Sequence, residues 1–226
     1  MLPFARLLEY GNVVDFRPLV GYNFSTIENT GKLVVSPTPV LSTIPIPVSD
    51  STYTNMMRIS NNTSTLVPLD NSVIIGVQDF EFKIVFYLYD GNTGYDVISR
   101  FMNVQSGNPS NALSVVIGDA GYLNRLQFGI GAIENLNTFC VNVDRSMLSN
   151  KVNTVILKRK SGMLTGTWNG QDLLFGIHTN PSTNPTISCP YEIQNRYLSF
   201  GETPGGVPFG VDMGIIDYEF RVGDIK

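Results

Sequence analysis

The stretch from Asn153 to Arg221 opens with Asn153-Thr-Val-Ile-Leu-Lys-Arg-Lys160, turns at Ser161-Gly162, and continues as Met163-Leu-Thr-Gly-Thr-Trp168 before Asn169-Gly170. From Thr154 to Lys160 apolar and charged positions alternate, which is the period of a half-buried strand. An Asn-Gly pair directly after a strand is the strongest short-range hairpin signal, because both residues tolerate the positive φ that a tight hairpin turn requires. Further on, Leu198-Ser-Phe-Gly201 and Phe209-Gly210 precede Ile215-Ile-Asp-Tyr-Glu-Phe-Arg221, a final strand with charges at every second position. On that alternation Ile216, Tyr218 and Phe220 face inward while Asp217 and Glu219 face solvent. These are the closing strands of an antiparallel sandwich.

Working outward, Asp79-Phe-Glu-Phe-Lys-Ile-Val-Phe-Tyr-Leu88 predicts the first long strand of the sandwich. Shorter strands are expected at Met56–Ile59, Thr65–Val67, Ser72–Val77, Tyr95–Met102, Ala112–Ile117, Arg125–Ile130 and Phe139–Val143, with Gly, Asn and Pro turns between them. Asp144–Asn150 is expected to form a single helical turn. With 4 Ala and 7 Glu against 21 Gly, 21 Asn, 17 Thr and 13 Pro, the chain is poor in helix formers and rich in turn formers. Its 226 residues are long enough for one large all-β domain with a substantial core.

The order of a strand and Gly turn, Trp168-Asn169-Gly170, Leu198-Ser199-Phe200-Gly201, then Phe209-Gly210 and an alternating last strand resembles the concanavalin A-like lectin and laminin G-like jelly roll. The resemblance extends over residues 50–226 and includes Asp79–Leu88 as the first sandwich strand. It implies an antiparallel jelly-roll β-sandwich. The same superfamily contains sugar-binding, calcium-binding and glucan-cleaving members, so the scaffold alone does not select among them.

The first fifty residues read differently. Residues 1–48 are expected to form an N-terminal arm and connector ahead of a sandwich at 49–226. Phe4, Leu7, Leu8, Tyr10 and Phe16 supply apolar anchors without a helical period, and Pro37, Pro39, Pro45 and Pro47 enforce extended chain. Such an arm either folds back as an edge strand or docks on neighbouring subunits, and the expectation favours docking within a large assembly.

A net charge of −4 argues against a nucleic-acid footprint, and no run of 18 apolar residues predicts a membrane span. The N-terminus lacks the apolar core of a secretion signal, so the chain is expected to be made in the cytoplasm. Lys158-Arg159-Lys160 is expected to be solvated strand surface, with Lys158 and Lys160 on one face and Arg159 on the other. Cys140 and Cys189 are expected to be buried thiols, and the glycosylation-like patterns at Asn23, Asn61 and Asn62 to be polar loops.

Catalytic signals are sparse. His178 is the single histidine, and no G-x-S-x-G elbow surrounds a serine. Asp217 and Glu219 share a face as glycosidase carboxylates do, but the pattern of the glucanase members has a third acid that is missing here. In the loop after the first long strand, Asp90, Asn92 and Asp96 place oxygen ligands at spacings that could hold calcium. Asn92, Tyr95 and Asp96, with Tyr122 and Asn124 on a second loop, are the candidates for glycan binding, and Trp168 is either core or rim. The expected role is a non-enzymatic structural protein of a virus particle, a bacteriophage tail or capsid-decorating subunit held to other virion subunits by its arm. The alternative is a carbohydrate-binding or host-receptor-binding module.

Overall fold

The computed structural model of the chain describes Pro18 and residues 20–26, 28–31, 43–49, 52–59, 65–68, 74–90, 96–102, 112–117, 125–131, 138–177, 180–190, 193–194, 197–200 and 212–223. Among these residues a first sheet contains β1 (Val20–Asn23), β2 (Glu28–Asn29), β3 (Thr43–Pro45), β4 (Asn55–Ile59), β7 (Phe80–Leu88), β12 (Lys151–Lys160), β13 (Met163–Trp168), β14 (Gln171–Asp172), β17 (Ile187–Ser188) and β20 (Met213–Val222). A second sheet contains β5 (Thr65–Pro68), β8 (Asp96–Met102), β9 (Ala112–Ile117), β10 (Arg125–Gly131), β11 (Thr138–Asp144), β15 (Phe175–Ile177), β16 (Asn180–Asn184) and β19 (Tyr197–Phe200). β6 (Ile74–Gly76) pairs with β18 (Ile193–Gln194), and the one described helix is the turn α1 (Arg145–Leu148).

Strands from the two halves of the sequence interleave at the centre of the first sheet, in the order β13-β12-β7-β20-β1, and each of these neighbours runs antiparallel to the next. The two turns of the closing segment are as expected. Lys160 pairs with Met163 and Trp168 with Gln171, so Ser161-Gly162 and Asn169-Gly170 are two-residue hairpin loops with positive φ at both positions (51° and 75°, 48° and 81°). Ser161, the residue least suited to that conformation, donates its N–H to Asp79 Oδ1 at 2.8 Å.

Alternation sends Phe80, Phe82, Ile84, Phe86 and Leu88 of β7 inward, together with Val155 and Leu157 of β12 and Ile215, Tyr218 and Phe220 of β20. The second sheet meets them with Val115, Ile117, Leu126, Phe128, Val143, Phe175 and Phe200. Phe200 and Tyr218 touch across the two layers with ring centroids 5.3 Å apart. Each such fully buried side chain stabilises the fold by roughly 1.5–3 kcal/mol, which is why the aromatic-rich strands lie at the centre.

The sequence reading needs correction at Ile216, at Arg159 and at Asp217, the last of which is buried instead of facing solvent. In β20 a bulge lies between Ile215 and Asp217, so Ile216 turns to the outer face and packs with Val85 and Tyr87 instead of sharing the core with Tyr218 and Phe220. Arg159 is not solvated. It is fully buried, lies 4.9 Å over the Phe80 ring, and donates Nε and Nη2 to the Gln78 carbonyl, while Lys158 and Lys160 point outward as expected. Satisfied guanidinium donors and an aromatic face make that burial tolerable.

A second apolar cluster lies on the outer face of the first sheet, where Ile46, Met56, Val85, Tyr87 and Ile216 are covered by Ile44, Val48 and Tyr53. Within residues 1–48, Val20–Asn23 pairs with β20, and Thr43–Pro45 pairs with β4 as an edge strand, a position that accepts Pro45. Phe4, Leu7, Leu8, Tyr10 and Phe16 lie outside the described residues. Cys189 is a buried thiol, and the Cys140 side chain lies outside the described set.

Candidate functional site

The candidate loops leave the sandwich at one end. Asp96 pairs with Ile117, Ile117 with Leu126, and Arg125 with Asp144, so the second sheet presents these residues along a single rim. The connection after β7 arrives there at Asp96, the connection 118–124 joins β9 to β10 there, and the chain leaves β11 there for α1 and β12. The matching rim of the first sheet is formed by Leu88, Lys151, Met213 and Ile59. Asn92, Tyr95, Tyr122 and Asn124 lie outside the described residues, as does His178. Asp96 is placed by its backbone at the head of β8.

Buried hydrogen bonds hold this end together. The Trp168 indole N–H donates to Asn153 Oδ1 at 3.0 Å, and the Asn153 amide donates to the carbonyls of Leu148 at 2.8 Å and Lys151 at 3.0 Å. Trp168 is therefore a buried support for α1 and not an exposed sugar platform. Two residues past α1, Asn150 adopts φ 57°, donates its N–H to the Leu88 carbonyl at 2.7 Å and accepts the Asp90 N–H on Oδ1 at 3.2 Å. Asp90 is thus tied into a turn. Of the calcium candidates Asp90, Asn92 and Asp96, only the Asp90 side chain is described, and among the described residues no three His, Cys, Asp or Glu side chains converge on a metal position.

Sequence reasoning missed the polar cluster beside this turn. Alternation along β4 buries Met57 and Ile59 and turns Met56 and Arg58 to the outer face. There Arg58 Nε and Nη2 donate to the two carboxylate oxygens of Asp212, at 3.1 and 2.8 Å, and the guanidinium sits 5.0 Å over the Tyr89 ring. Tyr87 supports Tyr89 edge-on at 4.9 Å, and the Tyr89 N–H donates to the Asp212 carbonyl. The bond to Asp212 and its charge raise the Arg58 pKa further, and burial raises that of Tyr89. Arg58 and Asp212 stand 154 positions apart, and no local pattern announces their meeting.

The acidic pair on β20 has a different setting. Asp217 is 4% exposed, and Lys83 Nζ reaches its Oδ2 at 2.7 Å and Glu219 Oε1 at 3.5 Å, while Arg221 holds the other Glu219 oxygen at 2.6 Å. Burial pushes the Asp217 carboxyl above its ordinary range and outweighs the pull of Lys83. Burial alone would lower Lys83, but Asp217 and Glu219 outweigh it and hold its pKa up. Both carboxylates are neutralised by neighbouring cations, and Asp217 is buried, which is not the arrangement of an acid and a nucleophile across a cleft.

The chain matches no protein-family model and no curated protein. Its fold is similar to those of solved binding domains, among them the following. The receptor binding domain of botulinum neurotoxin D superposes with a TM-score of 0.55 at 11% identity, covering 93% of this chain and 50% of that one. A second structure, of the botulinum neurotoxin serotype D binding domain, gives 0.55 at 11% identity, covering 93% and 48%. The binding domain of Paraclostridial Mosquitocidal Protein 1 gives 0.58 at 11% identity, covering 93% and 50%. The chain therefore spans about half the length of the structures it matches. At this identity the likeness is one of fold: the chain is an all-β, antiparallel jelly-roll β-sandwich, similar in fold to these binding domains.

Proposed function

We propose that this chain is a non-catalytic recognition module that binds carbohydrate on a cell-surface receptor through the loop-bearing end of its sandwich. The observation that carries this reading is convergence at one end. The strand ends that root two connections crossing between the sheets, those that root the 118–124 connection and the Arg58–Asp212–Tyr89 cluster all lie there, braced by Trp168, Asn153 and Asn150. Specific sites built on rigid elements hold their geometry better than sites on loops alone. The fold shared with a domain named for receptor binding supports the same reading, and calcium held near Asp90 would add to it.

The test is a glycan array and a cell-binding assay with the intact chain. Saturable binding that weakens in Tyr95→Ala or Tyr122→Ala, with the melting temperature unchanged, is the expected result, and repeating the titration in a chelator reads any calcium requirement. Silence on both glycans and cells would refute the proposal. A second reading, a virion subunit held by residues 1–17, is favoured by the apolar set Phe4, Leu7, Leu8, Tyr10 and Phe16. Deleting residues 1–17 should then abolish incorporation into particles and leave sugar binding intact.

A further inference from the structure

Arg58, Asp212 and Tyr89 combine four properties that a sugar subsite needs. The first is rigidity: a two-bond fork fixes the guanidinium in plane, the Tyr89 ring lies beneath it, and Tyr87 beneath that ring belongs to the second apolar cluster. The second is access, since the Arg58 and Asp212 side chains are 44% and 30% exposed. The third is donor capacity, because the fork uses two of the five N–H donors of a guanidinium. The fourth is position: Arg58 lies near the end of β4, Tyr89 directly follows β7 and Asp212 directly precedes β20, at the mouth of three connections.

We propose that this cluster is a subsite for a neutral sugar, engaging two adjacent hydroxyl groups, and this rests on the recognition role proposed above. The neutral class follows from charge. Arg58 is already compensated by a carboxylate at 2.8 Å, so an anionic ligand would gain little from the guanidinium and would be repelled by Asp212. A hydroxyl meets no such penalty. It accepts from a guanidinium N–H through a lone pair and donates its own proton to a carboxylate oxygen, so an adjacent pair matches a donor–acceptor surface of fixed spacing. Each variant below removes one of these features without opening a core cavity.

The experiment titrates the intact chain with methyl β-galactoside, methyl α-mannoside and methyl β-glucuronide, following the Arg58 Nε–H and Tyr89 amide signals by NMR and the melting temperature of each variant in parallel. At least one neutral glycoside should shift both signals, the glucuronide should shift them less, and Arg58→Lys and Asp212→Asn should each weaken the neutral glycoside at least tenfold. A merely structural ion pair would instead move the melting temperature and leave affinity unchanged. Binding of neutral glycosides that spares the Arg58 and Tyr89 signals, or that survives both substitutions, overturns the subsite while leaving the recognition role standing. Stronger binding of the glucuronide at these signals overturns the neutral class. An intact chain that binds no glycan on the array overturns both.

Discussion

Replacing Asn153 should loosen the loop-bearing end more than its distance from any loop tip suggests. Its side chain is fully buried and makes three hydrogen bonds, one from the Trp168 indole and two to carbonyls at the end of α1 and the start of β12. Each bond contributes about 1 kcal/mol net, and a buried donor left without a partner costs about 1–3 kcal/mol, so Asn153→Ala should cost roughly 3 kcal/mol. For a chain of this size that corresponds to a fall in melting temperature of roughly 6–12 °C. Trp168→Phe removes the same bond from the other side and strands only one acceptor. The double variant should therefore be less destabilised than the sum of the two singles by about 1 kcal/mol or more. Urea unfolding followed by far-UV circular dichroism measures all four proteins, including those that lack the single tryptophan. A loss below about 1 kcal/mol for Asn153→Ala, or strict additivity in the double variant, would refute this reasoning.

Three further outcomes follow from the same packing. Gly214→Ala should destabilise by about 1–3 kcal/mol in chemical denaturation, because a Cβ there would lie 1.9 Å from Met56 Sδ, whereas Gly162→Ala meets no atom within 4 Å and should cost only the left-handed strain of about 1–2 kcal/mol. Lys83→Met should cost about 3–5 kcal/mol at neutral pH by leaving Asp217 buried without its cation. The pH dependence has a defined sign. Since folding raises the Asp217 pKa above 3.8, the folded state holds that proton more tightly, and this group's contribution to stability falls as pH rises through the raised value. Denaturation from pH 4 to 8 should show that fall more steeply in Lys83→Met than in the native chain.

The hairpins at Ser161-Gly162 and Asn169-Gly170 were legible because turn chemistry is local, and the alternation of β7 and β12 was legible because a buried face repeats every second residue. Ile216 was not, since a bulge shifts the period by one residue and the adjacent pair Ile215-Ile216 does not say which of the two faces the core. Arg159 was misread because its compensation comes from Gln78 and Phe80, which approach from a neighbouring strand and the segment before it. The sequence named the two candidate loops separately, and the register places the roots of the 91–95 and 118–124 connections side by side. What their residues do is not encoded in that register. Arg58 and Asp212 were invisible for the opposite reason, since each is unremarkable where it stands and only the pairing of β4 with β20 brings them together.

The central claim, that recognition happens at the loop-bearing end, is tested most directly by hydrogen–deuterium exchange of the intact chain with and without a glycan that the array identifies as bound. Protection should appear at residues 89–96, 118–124, 144–150 and around Asp212. Protection confined to the opposite end, at Ser161-Gly162 and Val77–Asp79, would contradict it.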